Sequence, residues 1–388
     1  MIIRKAVING FNDALKLVKS IGCSDIICEY LAKKGVFRAI IVENIDNRAI
    51  NILKQEAVSV GADAVVSESI SRFKHGVSNT VIFASTSQFE KLIGKLFLQP
   101  FGLKKVALKL KSILNEKKKF KCKEKYIDLS NPVVMGIINM DPFSFSGDGL
   151  TSPDRAVEQA IEFETLGAGI IDIGAESSRP GSKLVDKKIE IGRLLPALRK
   201  IRKNVKIPIS IDTYKYDTAR IAIDEGADII NDIFALRKGK GKLAKLIADT
   251  KAGVILMHMK GEPKNMQVFP KYKNCTSEIY EFLLERKKFA MKFSIDEDCI
   301  AVDPGLGFGK NIEHNFELIK NMSVFSTLGA VVGAVSRKRF VKAVADEDKT
   351  AFVVANFFTA FCGSDIVRVH DVKETVRALK IVESFREV

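Results

Sequence analysis

Asp212, Asn231 and Asp303 each stand at the end of a short apolar run, and Lys338, Arg368 and His370 follow two further runs of the same kind. Two carboxylates and an amide at one depth can satisfy the donors and acceptors of a flat polar heterocycle. Three cations suit an anionic tail, and an arginine grips phosphate oxygens through parallel N–H bonds. Asn139 closes another run, and its amide oxygen is a candidate ligand for Mg2+, which takes few protein oxygens and completes its shell with phosphate and water. Glu176-Ser177-Ser178-Arg179-Pro180-Gly181 follows yet another run. With the stretch rich in Gly and Ser after Asn139, it makes a pair of loops of the kind that move over a site. The ligand expected has two parts, a hydrogen-bonding ring and a polyphosphate. His258 also ends a run but reads as a satisfied core histidine. Asp172 and Asp232 read as braces of the scaffold, and Lys310 as a surface residue.

What must position these residues is a set of eight apolar, β-branched runs, each followed by a helical stretch. They are Val133–Ile138 closing on Asn139, Ile170–Ile173 leading to Glu176, Ile207–Ile211 closing on Asp212, and Asp228–Ile230 closing on Asn231. Then come Val254–Met257 closing on His258, Ile300–Val302 closing on Asp303, Val331–Val335 closing on Ser336-Arg337-Lys338, and Asp365–Val367 reaching Arg368 and His370. Short continuous apolar runs alternating with helices describe parallel strands buried on both faces. Eight such units with a polar residue at each C-terminal end predict a (β/α)8 TIM barrel, whose active site lies on the face those ends share. An open doubly wound sheet has locally similar strands, but no Gly-x-Gly-x-x-Gly turn follows any of these.

The chain has 388 residues, more than one barrel needs. Two domains are expected: residues 1–125 as a smaller mixed α/β domain with a basic linker at its end, and residues 126–388 as the barrel. The net charge of +15 sits mostly in the first part, with 23 Lys and Arg against 11 Asp and Glu in residues 1–125 and 39 against 36 in the remainder. Lys117, Lys118, Lys119, Lys121, Lys123 and Lys125 crowd the junction around Phe120 and Cys122, which reads as a solvated linker or helix end. No helix-turn-helix, zinc or stacking signature accompanies them, so no nucleic-acid partner is expected. The opening Met1-Ile2-Ile3-Arg4-Lys5 lacks the long apolar stretch of a signal peptide and no run reaches membrane-spanning length, which places the protein in the cytoplasm, off the membrane. The six cysteines are scattered without a Cys-x-x-Cys pair and read as reduced thiols.

In the first 125 residues, Asn12-Asp13 can cap a helix through Ile21. A strand is expected over residues 36–42, a helix over 47–60, and strands over 64–66 and 80–83. Helices follow from Ser87 to Gln99-Pro100 and over 103–114. No catalytic set clusters there, and a packing or oligomerisation role is the expectation.

Several motifs together resemble the dihydropteroate synthase family. They are Met135-Gly136-Ile137-Ile138-Asn139 with Pro142 and Ser144-Phe145-Ser146, the Glu176–Gly181 segment, Ser210-Ile211-Asp212-Thr213-Tyr214-Lys215 and Ile230-Asn231-Asp232. Leu256-Met257-His258-Met259, Asp303-Pro304-Gly305-Leu306-Gly307-Phe308-Gly309-Lys310, Ser336-Arg337-Lys338 and Val367-Arg368-Val369-His370-Asp371-Val372 complete the order, over roughly residues 131–385. Ile52-Leu53-Lys54-Gln55-Glu56 and Leu98-Gln99-Pro100-Phe101-Gly102-Leu103 look similar to an N-terminal extension found in a subset of that family. The resemblance implies a transferase that condenses 6-hydroxymethyl-7,8-dihydropterin diphosphate with 4-aminobenzoate, giving 7,8-dihydropteroate and diphosphate. It implies that Asp212, Asn231, Asp303 and Lys338 hold the pterin, and that Asn139, Arg368 and His370 hold the diphosphate and its Mg2+. Ser178, Arg179, Pro180 and Phe308 would border the aminobenzoate, and Asp303, Lys338, Arg368 and His370 would form the catalytic set. It also implies a homodimer. The chain departs from the family pattern at Asp141, where Thr is usual, at Phe143, where an Asp is usual, at Ser178 for Thr, and at Arg339, where many members have Ser. Two other readings share the ring-binding residues: a pterin-dependent methyltransferase to a corrinoid protein, and a catalytically impaired pterin-binding paralogue.

Overall fold

In the computed structural model of this chain, contacts divide the molecule into Met1–Lys117 and Lys118–Arg386. The structure describes all residues except 2, 4–5, 23, 72–74, 115–118, 142–148, 177–184, 263–265, 268, 347 and 388. Among the described residues, no helix is long and apolar enough to cross a membrane.

The first unit is a small antiparallel sheet of β1 (Phe37–Asp46), β2 (Asp63–Val65) and β3 (Val77–Ser85), in the order β1-β3-β2. Helices Asn47–Ser59, Thr86–Leu96 and Leu103–Leu114 share its core through Ile50, Leu53, Ile82, Phe89, Leu92 and Leu103. Local chemistry sets the helix starts. Asp46 accepts the amide of Arg48, and Ser85 with Gln88 makes a reciprocal capping box. The mixed α/β expectation holds, with two further helices, Asp25–Gly35 and the short Glu68–Ser71, that the sequence reading passed over.

The basic junction is the main correction. Instead of a solvated linker, it forms a hairpin of β4 (Lys119–Cys122) and β5 (Lys125–Asp128), which pair antiparallel and belong to the second unit. Alternation explains the difference: in Lys119-Phe120-Lys121-Cys122 every second residue is apolar, so one face turns inward while the lysines face out. Phe120 and Cys122 are fully buried. They pack with Ile170, Ile229, Ile255, Ala301, Val332 and Ile366, residues of the barrel strands. The lysines find partners at the rim: Lys125 Nζ lies 3.1 Å from Asp228, and Lys123 donates its ammonium to Ile223 O at 3.1 Å.

The eight expected strands are present and closed into one parallel barrel. They are β6 (Val133–Asn139), β7 (Ile170–Gly174), β8 (Ile209–Asp212), β9 (Ile229–Asp232), β10 (Gly253–Met257), β11 (Ile300–Asp303), β12 (Ala330–Gly333) and β13 (Ile366–Val369). Strand residues alternate between the barrel interior and the surrounding helices. On β7, Ile171 and Ile173 therefore join the helix-facing core, whereas Ile170 lies in the interior with Phe120. The hairpin thus supplies an apolar floor, and interior positions turn polar only toward the C-terminal ends. Gly253 belongs to this floor, since a Cβ there would lie 2.9 Å from the Phe120 ring.

Truncating Phe120→Ala removes a fully buried ring from that floor and should cost about 3–5 kcal/mol of stability. Chemical denaturation of the full chain, followed by circular dichroism, measures it; a change within about 0.5 kcal/mol is what a solvated linker would give.

Candidate active site

At the mouth of the barrel the inward residues of four strands meet. Arg368 on β13 donates Nε to Asp172 on β7 at 2.6 Å and an Nη hydrogen to Asp212 on β8 at 2.8 Å. Asn231 on β9 reaches the same Asp172 carboxylate at 3.4 Å. The register places these side chains together, because Gly174 pairs with Asp212 and Asp212 with Asn231 along adjacent strands. Burial raises the Asp212 carboxyl to about 7, with Arg368 opposing the rise and Asp172 adding to it. For Arg368, burial works against the charge, but Asp172 and Asp212 more than offset it and raise the guanidinium above its ordinary value.

Asp303 ends β11 on the other side of the mouth. One of its oxygens accepts the amide of Gly305 at 2.6 Å, which anchors the glycine-rich turn that follows. Burial raises its carboxyl, against that hydrogen bond and the charges of Lys338, Lys310 and Arg368. Lys338 reaches over the same turn, donating to Leu306 O at 2.9 Å and lying 4.2 Å from the centre of the Phe308 ring. Burial lowers its ammonium to about 8, while Asp303 holds it up. His370 is fixed from behind by Ser336, whose Oγ lies 3.0 Å from Nδ1 and accepts the His370 amide at 3.3 Å. Asn139 ends β6 with Gly174 as its strand neighbour.

The structure therefore brings Asp212, Asn231 and Arg368 into one hydrogen-bonded group, and sets Asp303, Lys338 and Phe308 along a single turn whose charges act on that group. Ser178, Arg179 and Pro180 lie outside the described residues, as does Phe143. Asp141 is described and buried, and it pairs with Arg193 at 3.1 Å. Arg339 opens the helix Arg339–Ala345 and is exposed. Asp232 caps its own turn, accepting the amides of Phe234 and Leu236.

Two sequence readings are corrected. Asp172 is more than a brace, since it is wholly buried in the mouth and shares Arg368 with Asp212. The signal was available: an acid in the middle of Ile170-Ile171-Asp172-Ile173 at inward parity needs a partner. Lys310 is buried at 3% exposure and not on the surface. Its ammonium stays inside because it meets acceptors there, among them Nδ1 of His258 at 3.0 Å.

Among the described residues no group of three or more His, Cys, Asp or Glu side chains is arranged to hold a metal ion. The donor set near the mouth fits a cation only as Asn139 would hold it, through one amide oxygen, the rest of the shell coming from elsewhere.

A model of the family described as pterin binding enzymes matches residues 135–370. The bifunctional dihydropteroate synthase/dihydropteroate reductase of Helicobacter pylori is 34% identical over 386 residues, 97% of this chain and 97% of its own. The dihydropteroate synthase of Escherichia coli is 38% identical over 265 residues, 66% of this chain and 93% of its own. Among solved structures, a Yersinia pestis dihydropteroate synthase in a sulfonamide drug complex superposes with a TM-score of 0.67 at 35% identity, covering 70% of this chain and all of that one.

Arg368→Ala should leave Asp172 and Asp212 facing each other without a cation, at a cost of about 3–5 kcal/mol near pH 8. A carboxyl raised above its unfolded value weakens the fold as pH climbs from that value to the folded one. Arg368 opposes the rise of Asp212 to about 7, so its loss should widen the stability deficit as pH climbs from 6 to 9, above the point where the wild-type carboxyl ionises. Thermal melts of both proteins across that range test this; a deficit independent of pH contradicts it.

Proposed function

This chain belongs to the dihydropteroate synthase family of pterin-binding enzymes, and from that premise we infer that it is a transferase making 7,8-dihydropteroate. The reading is carried by one observation: carboxylates, an amide and two cations occupy a single barrel mouth, with Arg368 donating to both Asp212 and Asp172 and Asn231 meeting the same Asp172. A dihydropterin offers an edge of N–H donors and ring acceptors, which Asp212, Asn231, Asp303 and Lys338 complement. Ring N–H donors reaching Asp212 favour its ionised form, reversing the effect of burial.

The bond that breaks joins the pterin methylene carbon to a diphosphate oxygen, and its electron pair leaves with diphosphate. Positive charge left on the carbon is delocalised into the reduced ring, and Asp212 and Asp303 favour it. Arg368 has five N–H donors, of which the two carboxylates engage only some, so diphosphate oxygens can take others. His370, held by Ser336, faces the same end of β13. Asn139 would hold Mg2+, which when bound supplies positive charge to the departing diphosphate. The aniline nitrogen of 4-aminobenzoate then forms the new bond with its lone pair and loses a proton to water or diphosphate. We assign Phe308, with Ser178, Arg179 and Pro180, to the border of that amine. We also take the protein to act in the cytoplasm as a homodimer.

The Helicobacter pylori relative that matches nearly the whole chain is also named as a reductase, so a second activity, reduction of 7,8-dihydropteroate, is a further reading for the full chain. It needs a hydride donor, and loss of dihydropteroate on adding a reduced nicotinamide or flavin to the purified protein tests it. No change in the dihydropteroate spectrum with either donor removes that reading and leaves the synthase reading intact.

The synthase reading is tested by diphosphate release and by chromatographic detection of 7,8-dihydropteroate. Both should require dihydropterin diphosphate, 4-aminobenzoate and Mg2+ together, and chelation should abolish them reversibly. A single amide oxygen makes a weak site, so Mg2+ titrated alone should show no calorimetric binding, whereas Mg2+ with diphosphate should. Ligand binding without product under any amine would count against turnover.

A further inference from the structure

The turn Asp303–Lys310 carries glycines at 305, 307 and 309, all in the left-handed region with φ of 70°, 81° and 65°. Close approach accounts for two of them. A Cβ on Gly305 would collide with His258 O, and one on Gly309 would lie 2.6 Å from Lys260 O. A turn so rich in glycine has much backbone freedom to lose. What holds it is a side-chain donor on each of five consecutive carbonyls. Lys310 Nζ donates to Gly305 O at 2.8 Å and Phe308 O at 2.9 Å, Lys338 Nζ to Leu306 O at 2.9 Å, Gln267 to Gly307 O at 2.6 Å, and the Tyr272 hydroxyl to Gly309 O at 2.9 Å.

Lys310 differs from the others in being buried and in taking two carbonyls at once, while Nδ1 of His258 meets its third N–H at 3.0 Å. Three acceptors match the three hydrogens of an ammonium, and a neutral amine would leave one unmet. Burial lowers the Lys310 ammonium to about 7, and burial together with the Lys310 charge holds His258 well below its ordinary value, as a neutral acceptor.

We propose that Lys310 is a positioning residue for the amine substrate, fixing the turn so that Phe308 stands where the amine is received. This rests on the reading above that Phe308 borders the aminobenzoate. Lys310 pins the carbonyl of Phe308 itself, and Lys338 lies over the ring of Phe308 while holding the carbonyl between the two that Lys310 takes. The Asp303 backbone is held by its place in β11 and its pairing with Met257, and its carboxylate meets the turn only at the Gly305 amide, whereas the Phe308 carbonyl is pinned by Lys310 itself. Loosening the turn therefore acts on the amine more than on the ring.

The test compares the wild type with Lys310→Met, which keeps the stem and removes the donors, and with Lys310→Gln, a milder change read in the same ways if the first fails to fold. KM for 4-aminobenzoate should rise about tenfold or more, with KM for dihydropterin diphosphate staying within about threefold. Equal rises in both constants, or a fall in kcat with both unchanged, overturn the proposal, because a merely structural role lowers only the active fraction. A second readout does not need activity. The chain has no tryptophan, so Phe308→Trp supplies a single fluorophore on the turn. Acrylamide quenching of that residue should increase about twofold or more in the Lys310→Met or Lys310→Gln background, as ordering of its carbonyl is lost; unaltered quenching overturns the proposal. If the wild type makes no 7,8-dihydropteroate, the synthase reading fails, while the quenching result still decides whether Lys310 holds the turn.

Discussion

One guanidinium between two buried carboxylates governs the mouth of this barrel. Arg368 ties Asp172 on β7 to Asp212 on β8 from its own place on β13. Asp172 is wholly buried and the Asp212 side chain largely so, and moving a carboxylate out of water costs several kcal/mol unless a cation compensates. The pair of acids is thus tolerated because Arg368 is there, and Arg368 is held in one pose because the acids are there. Asp212, the carboxylate proposed to bind the ring, is consequently set in advance, with no reorganisation left for the moment of reaction.

The same economy runs through the opposite side. Lys338 and Lys310 hold the turn after Asp303, between them engaging three of its carbonyls. Backbone carbonyls are the acceptors that hold these cations in place, while Asp303 supplies the countercharge. The cationic side of the mouth is therefore built from lysines whose ammonium groups are desolvated and directed. Such groups interact with an incoming anion more strongly than they would in bulk water.

Much of this was written legibly in the chain. Eight apolar runs ending in Asn139, Asp212, Asn231, Asp303 and similar residues announce parallel strands, because period-2 parity sends one side of each strand inward and its polar residues fall toward the C-terminal end. The exceptions share a cause, which is that charge was read as exposure. Lys119, Lys121, Lys123 and Lys125 hid the alternation that makes β4 and β5, although Phe120 and Cys122 between them supply the barrel floor. Asp172 inside an isoleucine run looked like a brace, and Lys310 beside Gly309 looked like a surface residue. Each is buried because partners distant in sequence compensate it: Arg368 lies 196 residues from Asp172, and His258 lies 52 from Lys310. Local pattern identifies strands, whereas the pairing of buried charges depends on closure of the barrel.

That closure also explains why the chemistry sits at one end only. The hairpin fills the barrel's lower interior with Phe120, Cys122, Ile127 and Leu129 against Ile170, Ile229, Ile255 and Ile366. The apolar floor separates the lower rim, where Asp228 pairs with Lys125 and Arg202, from Asp172, Asp212, Asp303 and Arg368 at the C-terminal ends. Asp172 marks the boundary, two positions beyond Ile170 on the same inward face of β7, with one oxygen given to Arg368 and Asn231. Its second oxygen and the hydroxyl of Ser210, its register neighbour on β8, have no hydrogen-bond partner among the described residues. A barrel built this way confines its reacting groups to one depth, where strands far apart in sequence share a single balance of charge.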